Sequence, residues 1–387
     1  MKIACLAMTD FRNYRELALR PGPGANAFLG PNGAGKTNIL EGLHLVTTGL
    51  SHRTASDREM VRHGTDAFSV RAAVLRDATP ERALSLQVIY RDGRKLFRRD
   101  RQVLVGRART EALGAAVVFS PDDLDLVKGP PAKRRAFLDL TLAKADARYR
   151  TCSRRYQAAL AQRNRILAEG GMQPAQQALL EPWTEQLIEQ GARLLEYRLR
   201  GMAHLIPAAV QAYTALSGPC AEQLTALYVQ AVPPTDASLH SGPPPGRPEI
   251  EAHLRHSFAA TARDERLRGV TLAGPHRDDV QLLLDELPMR LYASQGQQRT
   301  AALALRLAEM SFLRTVSEEH PLLLLDDVFS ELDQGRRRAL LDLLSLDRCS
   351  QQTFFTATDL GGLPRLEELA LSVFEVKDGT VNHAVSA

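Results

Sequence analysis

Residues 30–37 read Gly30-Pro31-Asn32-Gly33-Ala34-Gly35-Lys36-Thr37, a complete G-x-x-x-x-G-K-T loop. It follows the apolar stretch Ala27-Phe28-Leu29 and precedes the helical run Asn38-Ile39-Leu40-Glu41-Gly42-Leu43. That context constrains the fold, because such a loop cradles phosphate only where a strand feeds it and a helix N-terminus follows. Glycines let the backbone turn its N–H groups inward, and the helix N-terminus adds positive potential where the anion lies. Lys36 is then expected to reach the terminal phosphates and the Thr37 hydroxyl to take a position on Mg²⁺. A turn that merely opens a helix would not need Lys-Thr after its last glycine.

A chain of 387 residues, 44% of them hydrophobic, has room for two or three domains with ample cores. Met1 to Met8 is too short an apolar run before Asp10 for a signal peptide, and no run approaches membrane-spanning length. The expectation is a soluble cytoplasmic protein with no membrane partner. Cys5, Cys152, Cys220 and Cys349 are scattered without a C-x-x-C pair, which argues against a zinc site or a disulfide framework. The net charge is only +4, so any nucleic-acid role must rest on clustering. The densest cluster is Arg91 to Arg101, where Asp92-Gly93 reads as the turn of a β-ribbon. Arg94, Lys95, Arg98, Arg99 and Arg101 are the candidate DNA contacts; a solvated, salt-bridged surface is the alternative. Smaller clusters lie at Lys133-Arg134-Arg135, Arg154-Arg155, and Arg163 with Arg165.

Short strand-like runs fill the first part of the chain (Ile3 to Met8, Ala27 to Leu29, Ser69 to Leu75, Leu84 to Tyr90, Ala115 to Phe119), with one helix opening at the phosphate loop. From Lys133 to Glu169 apolar residues recur at helical spacing until Gly170-Gly171, and a second helical stretch carries Leu180 to Leu205. Two long helices joined by Gly-Gly predict an antiparallel arm. A Pro-rich loop at 233–248 and a helix from Glu249 to Arg268 follow. Strand-like runs then resume at Val270 to Leu272, Val280 to Leu284, Leu322 to Leu325 and Thr353 to Phe355. The expected fold is α/β, with mixed sheets around the phosphate loop. Residues 1–132 and 269–387 would form the head, split by a helical arm domain at 133–268.

Leu322-Leu323-Leu324-Leu325-Asp326-Asp327 is an apolar strand ending in two carboxylates. Beside a bound triphosphate, Asp326 would coordinate the metal and Asp327 would act as general base or water-positioning group. Ser294-Gln295-Gly296-Gln297 opens an amphipathic helix from Thr300 to Leu313, and its hydroxyl and free N–H groups offer a second anion site. Ser330-Glu331-Leu332-Asp333 follows the acidic strand. Taken in order, phosphate loop, S-x-G-Q signature, acidic strand and S-x-L-D resemble the ATP-binding-cassette ATPases.

Roughly 260 residues separate loop from signature, the excess being the arm. With Asp10-Phe11-Arg12-Asn13-Tyr14-Arg15, Asn38-Ile39-Leu40-Glu41, Phe119 to Leu124 leading to Lys128-Gly129, Arg134 to Asp139 and Ala273 to Asp279, the chain resembles the RecF family in the SMC-like DNA-repair branch. The resemblance implies ATP and Mg²⁺ as cofactors, an ATP-dependent homodimer, binding to double-stranded and gapped DNA, and slow DNA-stimulated hydrolysis. It also implies partnership with RecR and RecO in loading recombinase, and association with the nucleoid. Ser294, Gly296 and Gln297 would meet nucleotide held by the other subunit, while Gly30 to Thr37, Asn38, Arg12 and Asn13 would lie around it in the same chain. Lys36 and Asp327 would serve hydrolysis. No glutamine stands where such ATPases sense Mg²⁺; Phe119-Ser120-Pro121-Asp122 takes its place. The usual histidine switch is replaced by Thr356-Ala357-Thr358-Asp359, so Thr358 is the expected substitute. Two other classes compete. A membrane transporter's energy module would not need the arm or the arginine-rich ribbon. An SMC-type chromosome organiser would need a coiled coil far longer than the insertion of about 130 residues.

Overall fold

The computed structural model describes residues 1–106, 114–169, 174–218, 222–232, 245–317, 319–346, 351–359 and 371–384. The Gly170-Gly171 junction, most of the Pro-rich loop, Cys220 and Cys349 lie outside them. In chain order the strands are β1 Lys2–Phe11, β2 Tyr14–Leu19, β3 Ala25–Leu29, β4 Phe68–Arg76, β5 Thr79–Arg91, β6 Arg94–Arg99, β7 Gln102–Leu104 and β8 Ala116–Phe119. They continue as β9 Leu224–Val229, β10 Asp279–Leu284, β11 Leu287–Pro288, β12 Leu322–Leu325, β13 Thr353–Ala357, β14 Leu371–Lys377 and β15 Thr380–Ala384. The longer helices are α1 Lys36–Thr48, α2 Pro131–Ala145, α3 Ala147–Ala168, α4 Pro174–Ser217, α5 Arg247–Arg268, α6 Gln295–Ser317 and α7 Gln334–Leu346.

The chain forms two compact units: Met1–Asp123, Gln211–Ala221 and Arg306–Ala387 make one, Leu124–Val210 and Glu222–Leu305 the other. These boundaries fall elsewhere than the compositional breaks at 132 and 268. The first unit contains two sheets, ordered β2-β1-β4-β5-β6-β7 and β15-β14-β3-β13-β12-β8. The first is antiparallel and alternates: Phe68, Val70, Ala72 and Val74 of β4 are buried, whereas Arg71 is exposed. The second is parallel from β14 through β8, and its strands β8, β12 and β13 are buried at every residue, as runs covered on both faces must be. Helix α1 packs against β4 and β5 of one sheet and β8 and β13 of the other. It is thus the core of this unit, and Gly49, in the left-handed region at φ 79°, closes it by donating to the Leu45 carbonyl.

In the second unit the helical run expected from Lys133 to Glu169 is two helices. Asp146 leaves the helix and caps α3, accepting from the Arg148 N–H at 2.7 Å. The periodicity masked this break because both helices bury the same stripe, with Leu138, Leu142, Tyr149, Cys152, Tyr156, Leu160 and Leu167 all buried. Helices α3 and α4 are antiparallel: Cys152 Sγ donates to the Gln190 carbonyl (3.3 Å) and Arg163 Nε to Thr184 Oγ1 (2.9 Å). Burial raises the Cys152 thiol to about 11, keeping it a protonated packing group. Val270 to Leu272 is not a strand. The Glu265 carboxylate accepts the Leu272 and Ala273 N–H groups and Asn164 takes that of Thr271, so side chains occupy the donors a ladder would use. Sheet β11-β10-β9 completes the unit.

His276 is structural. Its Nδ1 lies 2.6 Å from Tyr156 Oη and its Nε2 lies 3.3 Å from the Thr271 carbonyl, and burial pushes its pKa down to about 4. The carbonyl can only accept, so Nε2 carries the proton of the neutral ring and Nδ1 accepts from the tyrosine. Arg134 and Arg163, counted above among basic clusters, are committed to Asp279 and Glu265.

Candidate functional site

Strand β3 runs into the loop Gly30 to Gly35, and α1 begins at Lys36. A side chain at Gly30 (φ 154°) would collide with the Val376 carbonyl, and one at Gly35 (φ 109°) with the Asn13 amide. The Lys36 ammonium donates to the Gly30 and Pro31 carbonyls at 2.6 and 3.0 Å. Burial lowers its pKa, and the charges of Asp327 and Asp326 act in the opposite direction. Asn13 braces the loop, donating to the Ala34 carbonyl (3.2 Å) and accepting from Asn38 Nδ2 (2.8 Å), and Tyr14 Oη donates to the Gly35 carbonyl (3.1 Å).

The acidic strand meets this loop. Thr37 Oγ1 donates to Asp326 Oδ1 at 2.8 Å across 289 residues of sequence. The Asp326 N–H donates to the Phe119 carbonyl (2.8 Å), so the segment standing in for the glutamine loop leaves β8 beside the carboxylate. Asp327 has a left-handed backbone at φ 52°. The hydroxyl that touches the pair comes from Thr356, which donates to Asp326 Oδ1 (2.9 Å) and accepts from the Asp327 N–H (2.8 Å). Thr358 is instead exposed, and its hydroxyl donates to Asp359 Oδ2 at 3.5 Å. Thr37 and Asp326 offer hard oxygen donors that suit Mg²⁺, an ion usually held by one or two carboxylates plus phosphate oxygens. Among the described residues no group of three or more His, Cys, Asp or Glu could hold a metal unaided.

Arg12 is not directed at the loop. Its Nε and one terminal nitrogen donate to both Glu41 oxygens (2.8 and 2.7 Å), and the other terminal nitrogen donates to the Glu59 carbonyl (2.6 Å). Glu41 sits fully buried on α1, with Ser51 Oγ donating to it at 2.6 Å. Burial works against its charge, yet the bonds from Arg12 and Ser51 and the charges of Arg12 and Arg53 bring its pKa below the usual carboxylate value. Arg53, half exposed, also donates to Asn38 Oδ1 (2.8 Å). Ser51 and Arg53 escape a reading of motifs, and Glu41, although part of the Asn38-Ile39-Leu40-Glu41 segment, takes no role from it; the one signal of it is a carboxylate between Leu40 and Leu43 on the buried side of a helix. Glu41→Ala is expected to lower unfolding free energy by about 3 kcal/mol, since it strands a partly buried guanidinium. Chemical denaturation measures this; a loss under about 1 kcal/mol would mean that the Glu59 carbonyl alone holds the turn.

Ser294 caps α6 reciprocally with Gln297. Its Oγ accepts the Gln297 N–H (3.3 Å) while Gln297 Oε1 accepts the Ser294 N–H (2.6 Å). Gln297 Nε2 donates to Glu222 (2.8 Å), so its amide is committed within the second unit. Helix α6 starts at Gln295, five residues before the expected Thr300. Gly296 lies in its first turn, and Ser294 is exposed.

The arginine ribbon forms as read, with Asp92 (φ 52°) and Gly93 (φ 71°) as the two-residue turn between β5 and β6. Its cations split between faces, because successive strand residues point oppositely. Phe97 is buried, and Lys95 and Arg99 share its side, with Lys95 paired to Asp57. Arg94 and Arg98 project from the other side, where the register Arg71↔Gln87↔Arg98 adds Arg71 and Arg91 pairs with Arg94. Arg101 is exposed in the next turn.

A phosphate loop opening a helix between two sheets, with its threonine bonded to the acidic end of a parallel strand, defines the α/β head of an ATP-binding-cassette ATPase. The family model for the RecF/RecN/SMC N-terminal domain matches residues 2–382. The chain belongs to the RecF family. It is 37% identical to the DNA replication and repair protein RecF of Heliobacterium modesticaldum, over 99% of this chain and 100% of the relative. It is 40% identical to that of Symbiobacterium thermophilum, over 98% of each. A solved structure of the recombination mediator protein RecF with ATP, in the RecFOR pathway, superposes with TM-score 0.85 at 29% identity, covering 99% of this chain and 97% of the other. The Smc head domain of Pyrococcus furiosus with an extended coiled coil, bound to the C-terminal domain of ScpA, shares the fold, with TM-score 0.57 at 15% identity over 99% of this chain and 95% of that one. Among the described residues no helix is long and apolar enough to cross a membrane.

Proposed function

We propose that the protein is an ATP-gated DNA clamp of replication and recombinational repair. ATP binding closes a homodimer on double-stranded and gapped DNA, and slow, DNA-stimulated hydrolysis times release. RecR and RecO are the partners in recombinase loading. The observation that carries this is the bond from Thr37 to Asp326, which joins a phosphate loop to an acidic strand end in one chain. The relatives' name and the ATP-bound structure of similar fold support it.

In this reading the loop N–H groups and Lys36 hold the β- and γ-phosphates. Thr37 and Asp326 would hold Mg²⁺, which supplies charge neutralisation at the phosphate oxygens. Asp327 orients the attacking water and accepts its proton. Ser294 and Gly296, at the N-terminus of α6, would approach the γ-phosphate of nucleotide bound to the other subunit. Arg12 acts indirectly, holding the turn that carries Asn13 against the loop.

Sedimentation and DNA binding measured together, with and without ATP and Mg²⁺, test this. The expected result is a monomer that dimerises and binds DNA only with nucleotide; DNA binding indifferent to ATP would refute the clamp.

For DNA contact, the shared face favours Arg71, Arg91, Arg94 and Arg98 over Lys95 and Arg99. Replacing Arg94 and Arg98 with alanine is expected to weaken binding to all sequences and to reduce the slope of log affinity against log salt by about 2. A slope equal to that of the unsubstituted chain would assign these arginines to ordinary surface.

A further inference from the structure

The two carboxylates at the end of β12 are supported from the segment that replaces the histidine switch, by a threonine other than the expected Thr358. Thr356 is 1% exposed, in a strand buried throughout. Its hydroxyl bonds twice, donating to Asp326 Oδ1 at 2.9 Å and accepting from the Asp327 N–H at 2.8 Å. One proton and two lone pairs allow both bonds at once, and neither valine nor alanine could make either. Asp327 is where such support matters. Its φ of 52° lies in the left-handed region, sparsely populated by residues other than glycine and costly unless the surroundings hold it. Strand β12 ends at Leu325, so the Asp327 N–H has left the ladder and Thr356 supplies its acceptor. The same hydroxyl and that of Thr37 converge on one oxygen, Asp326 Oδ1, which fixes the carboxylate from strand β13 on one side and the first turn of α1 on the other.

We infer that Thr356 is a positioning residue for ATP hydrolysis, holding the turn from which Asp327 addresses water and the Asp326 oxygen shared with Thr37. This rests on the assignment of the loop as an ATP site. The hydroxyl's two bonds go to Asp326 and Asp327, not to the loop backbone or Lys36, which would meet the phosphates, and Asp326 keeps its bond from Thr37 when Thr356 is lost, so the loss falls mainly on the rate and little on affinity. Thr358, exposed on the same segment, does not share the role.

The test compares the unsubstituted chain with Thr356→Val, Thr356→Ala and Thr356→Ser, measuring equilibrium ATP affinity with Mg²⁺ and single-turnover hydrolysis. Loss of orientation without loss of the reacting groups predicts a rate about 100-fold lower in the valine variant, with affinity within about threefold. Serine restores the hydroxyl and should return the rate to within about fivefold of the original. Alanine is read in the same way if valine does not fold. A valine or alanine variant that keeps the rate overturns the inference. So does a serine variant as slow as valine, or a fall in affinity that matches the fall in rate, because either marks a packing defect. Failure of the unsubstituted chain to bind ATP would instead overturn the reading of the site.

Discussion

Lys36→Ala is expected to lose ATP binding by about 100-fold or more, the scale seen when one member of a buried, hydrogen-bonded charge pair is removed. In the structure the ammonium is anchored at the Gly30 and Pro31 carbonyls, at the mouth of the loop. Its burial lowers its pKa, while Asp327 and Asp326 favour the charged form. A triphosphate adds far more negative charge at the same place, and alanine leaves only backbone N–H groups to meet it. The loop itself should persist, because Asn13 and Tyr14 brace the Ala34 and Gly35 carbonyls independently of the lysine. Titration calorimetry with ATP and Mg²⁺ measures the effect, with circular dichroism as the check on folding. Affinity within threefold of the original would remove the phosphate loop from the site.

The parts of this site that were legible in the sequence are those whose chemistry is local. The phosphate loop, the acidic strand end and the signature cap each occupy a few consecutive residues with one backbone requirement. Apolar runs placed the strands that carry them, since β8, β12 and β13 are buried on both sides. That same uniform burial hid which threonine touches the carboxylates: with no apolar-polar alternation along β13, nothing in the sequence separates Thr356 from Thr358. Thr356 and Asp326 are 30 residues apart, and Arg12 and Glu41 are 29 apart, distances at which spacing says nothing about contact. The arginine ribbon was legible in part. Its turn is dictated by Asp92-Gly93, but counting cations ignored a period of two that puts Lys95 and the exposed Arg99 on the side of the buried Phe97 and Arg94 and Arg98 on the other. Strands β9, β14 and β15 had no motif to draw attention to them, and Val270 to Leu272 has strand-forming residues whose donors are taken by Glu265 and Asn164.

Ser294→Arg is expected to separate ATP binding from assembly. The residues proposed to hold nucleotide within one chain, Lys36, Thr37 and Asp326, are joined by bonds of the first compact unit, while Ser294 caps α6 in the second. The serine is exposed, so arginine can be accommodated without overpacking a core. Losing the cap costs the helix about 1 kcal/mol, too little to unfold a domain of this size. What changes is the surface a second chain must meet. A long cation replaces a small hydroxyl beside Gly296, where close approach of helix N-terminus to phosphate is required. The variant should bind ATP with unchanged affinity, remain monomeric with ATP and Mg²⁺, and hydrolyse ATP at least about 10-fold more slowly. ATP-dependent DNA binding should be lost with the dimer. Sedimentation velocity decides the matter: a dimer of normal stability that still turns over ATP would mean that the signature helix does not complete its neighbour's site.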